Sequence, residues 1–237
     1  MNYQILLGYG LYLTALIVTM EISIFFYKIN KTYGMISSAG FYTGSVLITE
    51  IFANKLVFFI FGAVTGGVFV YAFTFVMDNM NVMLYGKTVA RFNVLIAFIW
   101  EIIFIMHSQL ILFLSGPPLP TAIGLDRILT FTPRIIIASL TAYLVSENTD
   151  IYIFSKYMNR FKTKLYLRTL VAIIPSLTLD SFVFTPLAFL FVVPLKVVLT
   201  IIAVQTLAKY LIGVLIGTPY LYRIDHFVKS YNQSKQV

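Results

Sequence analysis

Ser139, Tyr143 and Glu147 stand four residues apart within a long apolar stretch. At 3.6 residues per turn they share one helix face. A hydroxyl, a phenol and a carboxylate on one face can hold a polar solute or bond to polar groups of a neighbouring helix. Other apolar stretches repeat the pattern. Glu50 and Asn54 are four apart, and so are Ser176 and Asp180, just past Pro175, where a kink is expected. Gln205 and Lys209 begin a face that Gly213 and Gly217 continue. Glu21, Asp78, Glu101 and Asp150 complete the set. A charge at the centre of a bilayer costs about 2.5–3.5 kcal/mol on insertion scales, so such groups pair or line a wet cavity. Glu21, Glu101 and Asp150 are equally well placed to reach headgroups from helix ends, whereas Glu50, Glu147, Asp180 and Lys209 lie deeper. Ala138, Ala142 and Ser146 form a small-residue stripe that lets another helix approach closely. Each helix thus carries a polar edge beside a packing edge. A central cavity for one polar solute fits this spacing, and so does a packed bundle with buried hydrogen bonds.

Other chemistry finds no support. The chain has no Cys, which excludes thiol catalysis, iron–sulfur clusters and Cys-based zinc sites. His107 and His226 are far apart and lack metal-ligand company. There is no Gly-x-Ser-x-Gly, His-Glu-x-x-His or Gly-Lys-Ser/Thr motif, and Gly66-Gly67 follows no strand and reads as a helix start. No catalytic residue, cofactor or metal site is expected. Without a nucleotide-binding loop, any ATP-driven step needs a separate chain.

The elements that position these residues follow from composition. Of 237 residues 59% are hydrophobic and 11% charged, with mean hydropathy +0.90. Soluble domains carry about 25% charged residues, so this is an integral membrane protein. Seven stretches are long enough to span: Tyr3–Tyr27, Ile36–Leu56, Gly66–Leu84, Ala90–Leu114, Thr132–Phe154, Leu165–Leu190 and Pro194–Tyr222. They are continuously apolar rather than alternating, which selects helices over a β-barrel. The first lacks a basic start and a cleavage site and reads as a retained helix. Gly116-Pro117-Pro118-Leu119-Pro120 opens the longest external loop. With the N-terminus outside, 12 of the 17 Lys and Arg fall in cytoplasmic segments. The opposite loops hold Lys55 and Arg127. This predicts a multi-pass plasma-membrane protein with a cytoplasmic C-terminus. It also accounts for the +8 net charge without nucleic acid.

The order of several short motifs resembles the queuosine-precursor transporter family, also described as vitamin-uptake transporters. The motifs are Ala53-Asn54-Lys55, Tyr85-Gly86 before basic residues, and Phe131-Thr132-Pro133-Arg134-Ile135 with Ala138-Ser139 and Ala142-Tyr143. Asp150-Ile151-Tyr152-Ile153-Phe154, Asp180 before an aromatic run, and Lys209 complete it, over roughly residues 39–222. The family usually has Asn at Glu50, Gln at Glu147 and a charged residue at Met83. The resemblance implies a six-helix core similar to the substrate-binding components of energy-coupling vitamin transporters. The chain then divides into an added N-terminal helix and loop (1–34), the core (35–222) and a short basic tail (223–237). It implies import of a 7-deazaguanine precursor of a modified tRNA base. A guanine edge offers two neighbouring N–H donors, which Glu147 or Glu50 would accept. Its ring would lie on Tyr143 or Phe184, and an aminomethyl cation would meet Asp180 or Asp150. On this reading Ser139, Asn54 and Lys209 line the cavity. Arg134, Asp78 and Gln205 support it, with Arg134 and Lys209 holding carboxylates. Alternatives are a binding subunit for another vitamin needing a separate energising partner, or a non-transporting scaffold subunit; an energising partner or a second copy of the chain is the partner expected besides the solute and the bilayer. An intramembrane enzyme finds no nucleophile–base pair.

Overall fold

The computed structural model describes residues 3–59, 62–114, 116–117, 119–130, 132–158 and 165–234. The chain folds as a helical bundle. The long helices are α1 (Tyr3–Ile29), α2 (Lys31–Ala53), α3 (Val68–Tyr85), α4 (Lys87–Leu112), α6 (Thr132–Met158) and α7 (Leu165–Phe189). The last rod is α8 (Leu195–Tyr210), a π-helical segment Leu211–Gly217 and α9 (Thr218–Ser234). These seven fall on the seven expected stretches. Among the described residues five helices are long and apolar enough to cross a membrane, or six if α5 and α6, bent by 49°, count as one. With α6 counted only through that pair, the remaining shortfall from seven lies at α2. Its 23 residues suffice in length, but they include Ser37, Ser38, Thr43, Ser45, Thr49 and Glu50.

Three segments depart from expectation. The stretch expected as external loop contains an 11-residue helix, α5 (Pro120–Thr130). Pro120 suits a first helical turn, where its missing N–H has no partner to lose. Leu56 is not helical. It starts an antiparallel hairpin, β1 (Leu56–Phe59) with β2 (Gly62–Thr65), paired Leu56 to Thr65 and Val57 to Val64. Two strands alone are marginal, and this pair gains from Val64, which is buried, and from Phe59 stacked edge-on against Phe69. The residues past Tyr222 continue the last helix to Ser234. There Arg223 pairs with Glu21, and Tyr27 meets Phe227 edge-on.

The bundle is polar at its centre and apolar outside. On α4, Asn93, Glu101 and Ser108 are buried, while Phe92, Leu95, Trp100, Met106 and Leu110 are exposed. Lipid accepts that outer face and rejects the inner one. Helix α3 is the axis, with 16 of its 18 residues buried. Gly67 precedes it because any Cβ there would sit 2.4 Å from the Thr49 carbonyl oxygen. The small-residue face of the last rod packs as its spacing implies. Gly213 lies against Ile173 and Leu177, and Gly217 against Val76. Four-residue steps overshoot a 3.6-residue turn by about 40° each. The wider π turns, with i to i+5 bonding, reduce that drift and keep Lys209, Gly213 and Gly217 all buried.

A Cβ at Gly217 would stand 2.3 Å from Val76 Cγ2. Gly217→Ala is therefore expected to destabilise the fold by about 1–3 kcal/mol, the usual cost of overpacking. Combined with Val76→Ala, it should cost clearly less than the sum of the two single changes. Thermal unfolding in detergent reads both.

Candidate functional site

The site forms where α3, α6, α7 and α8 meet the hairpin. Its cavity is lined by Thr65, Val68, Tyr71, Ser139, Asp180, Phe184, Gln205 and Lys209, with about 40 Å³ of free space. That holds a few waters. It is well below the roughly 300 Å³ of a small-molecule pocket, so a ring-sized ligand requires a wider form.

Asp180 is the centre of this cavity. It forms an ion pair with Lys209, and both side chains are 4% exposed. Its second oxygen accepts from the Tyr71 hydroxyl at 2.7 Å and from Ser146 at 3.4 Å. The Lys209 ammonium also lies 5.1 Å from the Tyr71 ring centroid, a cation–π contact that supplements the ion pair. Gln205, one turn before Lys209, accepts from Thr185 and donates to Thr65, each at 3.4 Å. Ser139 donates to Glu50 at 2.5 Å, so Glu50 stands behind the cavity wall rather than in it.

From about 5 to 10 Å along α3 from Tyr71, at 1.5 Å per residue, lies a second polar layer. Thr74 donates to Glu147 at 2.7 Å, and Tyr42 donates to Asp78 at 3.1 Å. Tyr143 donates to the Val94 carbonyl and to the Tyr42 hydroxyl, at 3.1 and 3.2 Å. Asp150 is fully buried in this layer beside Asn79.

The expected residues therefore separate. Ser139, Asp180, Gln205 and Lys209 line the cavity, with Glu50 one bond behind. Tyr143, Glu147, Asp78 and Asp150 belong to the deeper layer. Asn54 is exposed and caps α2, donating to the Glu50 carbonyl at 2.9 Å. Arg134 holds no carboxylate. Its guanidinium donates to the Leu187 and Leu190 carbonyls at 3.0 and 2.6 Å, satisfying the end of α7, whose last carbonyls have no helical partner. Lys209 pairs with Asp180 and not with Glu147. Glu101 and Asp150, for which helix ends were an open alternative, are buried at 1% and 0% exposure. Tyr71, Thr74 and Tyr42 were missed. The signal for the first two was present, since Tyr71, Thr74 and Asp78 stand at i, i+3 and i+7 on one face of α3.

The family described as "Putative vitamin uptake transporter" matches residues 65–224. The chain belongs to this family. The matched segment begins at a hairpin residue of the cavity wall and includes every lining residue. A Bacillus subtilis (strain 168) protein named "Probable queuosine precursor transporter" is 29% identical over 222 residues, covering 92% of this chain and 95% of that protein. No solved structure matches the chain. Membership makes it a multi-pass membrane transporter of small molecules rather than an enzyme, and the buried Asp180–Lys209 pair is a polar feature that such a transporter can use to hold cargo.

Removing one partner of a buried ion pair costs about 3–5 kcal/mol, because the other charge is left uncompensated. Lys209→Met should lower the unfolding temperature accordingly. Adding Asp180→Asn to it should restore most of the loss, which distinguishes charge compensation from simple packing.

Proposed function

We propose that the protein imports a 7-deazaguanine precursor of a modified tRNA base, held at the Asp180–Lys209 cavity. The observation that carries this reading is a buried carboxylate whose cation is a flexible lysine side chain, facing an aromatic ring at Phe184. A ligand with adjacent N–H donors, or with an aminomethyl cation, replaces the Lys209 ammonium on Asp180. Charge-assisted bonds to the carboxylate then favour it over neutral analogues. Ser139 and Gln205 supply neutral donors and acceptors, and Phe184 and Tyr71 cover the flat ring. Glu50 orients the Ser139 hydroxyl from behind. The name of the B. subtilis relative supports this substrate class. In the same reading α2 spans the membrane despite its polarity, because its polar face meets α3 and α6. The core is then the six-helix arrangement of substrate-binding components of energy-coupling vitamin transporters, with α1 added on the outside of α2.

The binding test is thermal unfolding of the purified protein with 7-aminomethyl-7-deazaguanine, guanine, thiamine and riboflavin. A ligand at a hundred times its dissociation constant stabilises by about 2.7 kcal/mol. The deazaguanine should stabilise the wild type, and Ser139→Ala should weaken that effect. Because the change also takes the hydroxyl donor from buried Glu50, the ligand-induced shift is read against the variant's own lowered ligand-free unfolding temperature. Stabilisation by a vitamin and not by the deazaguanine would replace the substrate.

Orientation has its own test, because the chain has no native Cys. Ser139 near the start of α6 bonds Glu50 near the end of α2, so Lys55 and Lys156 stand at opposite ends of the bundle. With the N-terminus outside, Lys55→Cys should react with an impermeant thiol reagent on intact cells of the plasma membrane. Lys156→Cys should react only after permeabilisation.

A further inference from the structure

One polar layer takes no part in the cavity. The carboxyls of Asp78 on α3 and Glu147 on α6 lie within hydrogen-bonding reach of each other, and both are 0% exposed. Asp78 accepts from Tyr42 on one oxygen and Glu147 from Thr74 on one oxygen. Tyr42 also lies beside the Glu147 carboxyl, and Asp78 Oδ1 and Glu147 Oε2 have no hydrogen-bond partner of their own. Two carboxylates cannot face each other without a cation, since like charges at contact distance do not both persist. A proton on one makes it a donor to the other and satisfies both oxygens. A second observation points the same way. Asn79 and Asp150 are fully buried side by side, and apart from each other neither side chain has a hydrogen-bond partner. A well-packed structural network leaves no such capacity in a dry interior. Among the described residues no three acidic or histidine groups converge as metal ligands do, so the geometry suits a proton and not a coordinated metal ion.

We infer that the Asp78–Glu147 pair is the proton-carrying site that couples this transporter to the proton gradient. In each import cycle one proton from the outer water forms an O–H on the pair, and that O–H is broken to release the proton to the inner water. The pair is linked to the cavity along one face of α3. Thr74 donates to Glu147, and Tyr71, three residues earlier, donates to Asp180 at 2.7 Å. The groups facing the pair come from every neighbouring helix. Tyr42 belongs to α2, Tyr71 to α3 and Glu101 to α4. Tyr143 and Asp150 flank it on α6, and Asp180 faces it from α7. The nearest cation among the buried residues is Lys209, engaged with Asp180. Loading the pair therefore adds no unpaired charge, and unloading it adds a negative one close to Asp180.

This inference rests on the transporter reading above, and the test separates the two. The protein is reconstituted into liposomes with labelled 7-aminomethyl-7-deazaguanine. An inward pH gradient of about one unit should drive wild-type accumulation toward about tenfold, for one proton per solute. Asp78→Asn and Glu147→Gln each keep an N–H donor toward the remaining carboxylate but cannot release it as a proton. Both variants should lose accumulation and retain exchange of labelled for unlabelled solute across the membrane without a gradient. Accumulation by Asp78→Asn and Glu147→Gln at the wild-type level would overturn the inference, and so would wild-type accumulation that follows a sodium gradient and ignores a protonophore. A ligand-free measurement guards against the wrong substrate. Infrared difference spectra between acid and alkaline buffer should contain a protonated-carboxyl band that both variants lose. If the wild type exchanges no deazaguanine while this band is present and variant-sensitive, the substrate assignment fails and the proton site stands. A band unchanged in both variants removes the proton site whatever the substrate.

Discussion

Six of the nine acidic residues, Glu50, Asp78, Glu101, Glu147, Asp150 and Asp180, are buried in the bundle, and Lys209 is the single buried cation among the described residues. In a dry interior each unbalanced charge costs several kcal/mol unless it is paired, bonded or neutralised. The arrangement of the helices follows from meeting that demand. Asp180 receives the lysine, a tyrosine and a serine, whereas Glu50, Asp78 and Glu147 each receive one hydroxyl. The donors come from α2, α3 and α6, so these helices must lie side by side around the acids. The one cation sits on the acid beside the cavity, where a ligand can compete with it.

Holding such a centre together requires close packing, because lipid gives helices no hydrophobic drive to associate. The glycines supply the approach. Gly67 lets the start of α3 meet the Thr49 carbonyl, and Gly213 and Gly217 let the last rod rest on α7 and α3. The π-helical turns keep those glycines in line with Lys209. Pro175 and Pro186 are carried inside α7, with Ser176, Asp180 and Thr185 facing inward between and beside them. The hairpin after α2 closes one end of the bundle. Its backbone groups pair with each other, as they must near lipid, and Thr65 at its end reaches Gln205.

The helices were legible in the sequence because continuous apolar length is a strong signal, and their ends agree within about five residues except at the last, which runs past Tyr222 to Ser234. The hairpin and α5 were not, because short segments between spans carry neither length nor periodicity. Four cavity residues, Ser139, Asp180, Gln205 and Lys209, were legible as polar groups that lipid should reject. Their partners were harder to see. Ser139 bonds Glu50 across 89 positions, and Tyr71 bonds Asp180 across 109, and spacing along one helix carries no information about such pairs. Tyr71 and Tyr42 also count as aromatic filler in an apolar stretch, although a buried tyrosine needs a partner for its hydroxyl. Glu147 was expected at the substrate because it lies four residues from Tyr143. The structure turns it toward Thr74 and Asp78 instead, one layer below the cavity.

In the proposed site the position of Lys209 sets a condition on the ligand. A ligand that displaces the ammonium from Asp180 separates a buried ion pair, and an uncompensated buried charge costs about 3–5 kcal/mol. A cationic ligand satisfies Asp180 and leaves the ammonium to reach another of the buried carboxylates. A neutral ligand leaves both partners of the pair to be met. The small cavity sharpens the same condition. Its 40 Å³ must widen to admit a ring, and the group best able to retreat is the unbranched Lys209 side chain, because Tyr71 is fixed by Asp180 and Ser146 and α3 is buried on all sides. In the proposed site, opening the cavity and releasing its ion pair are thus one movement of one side chain.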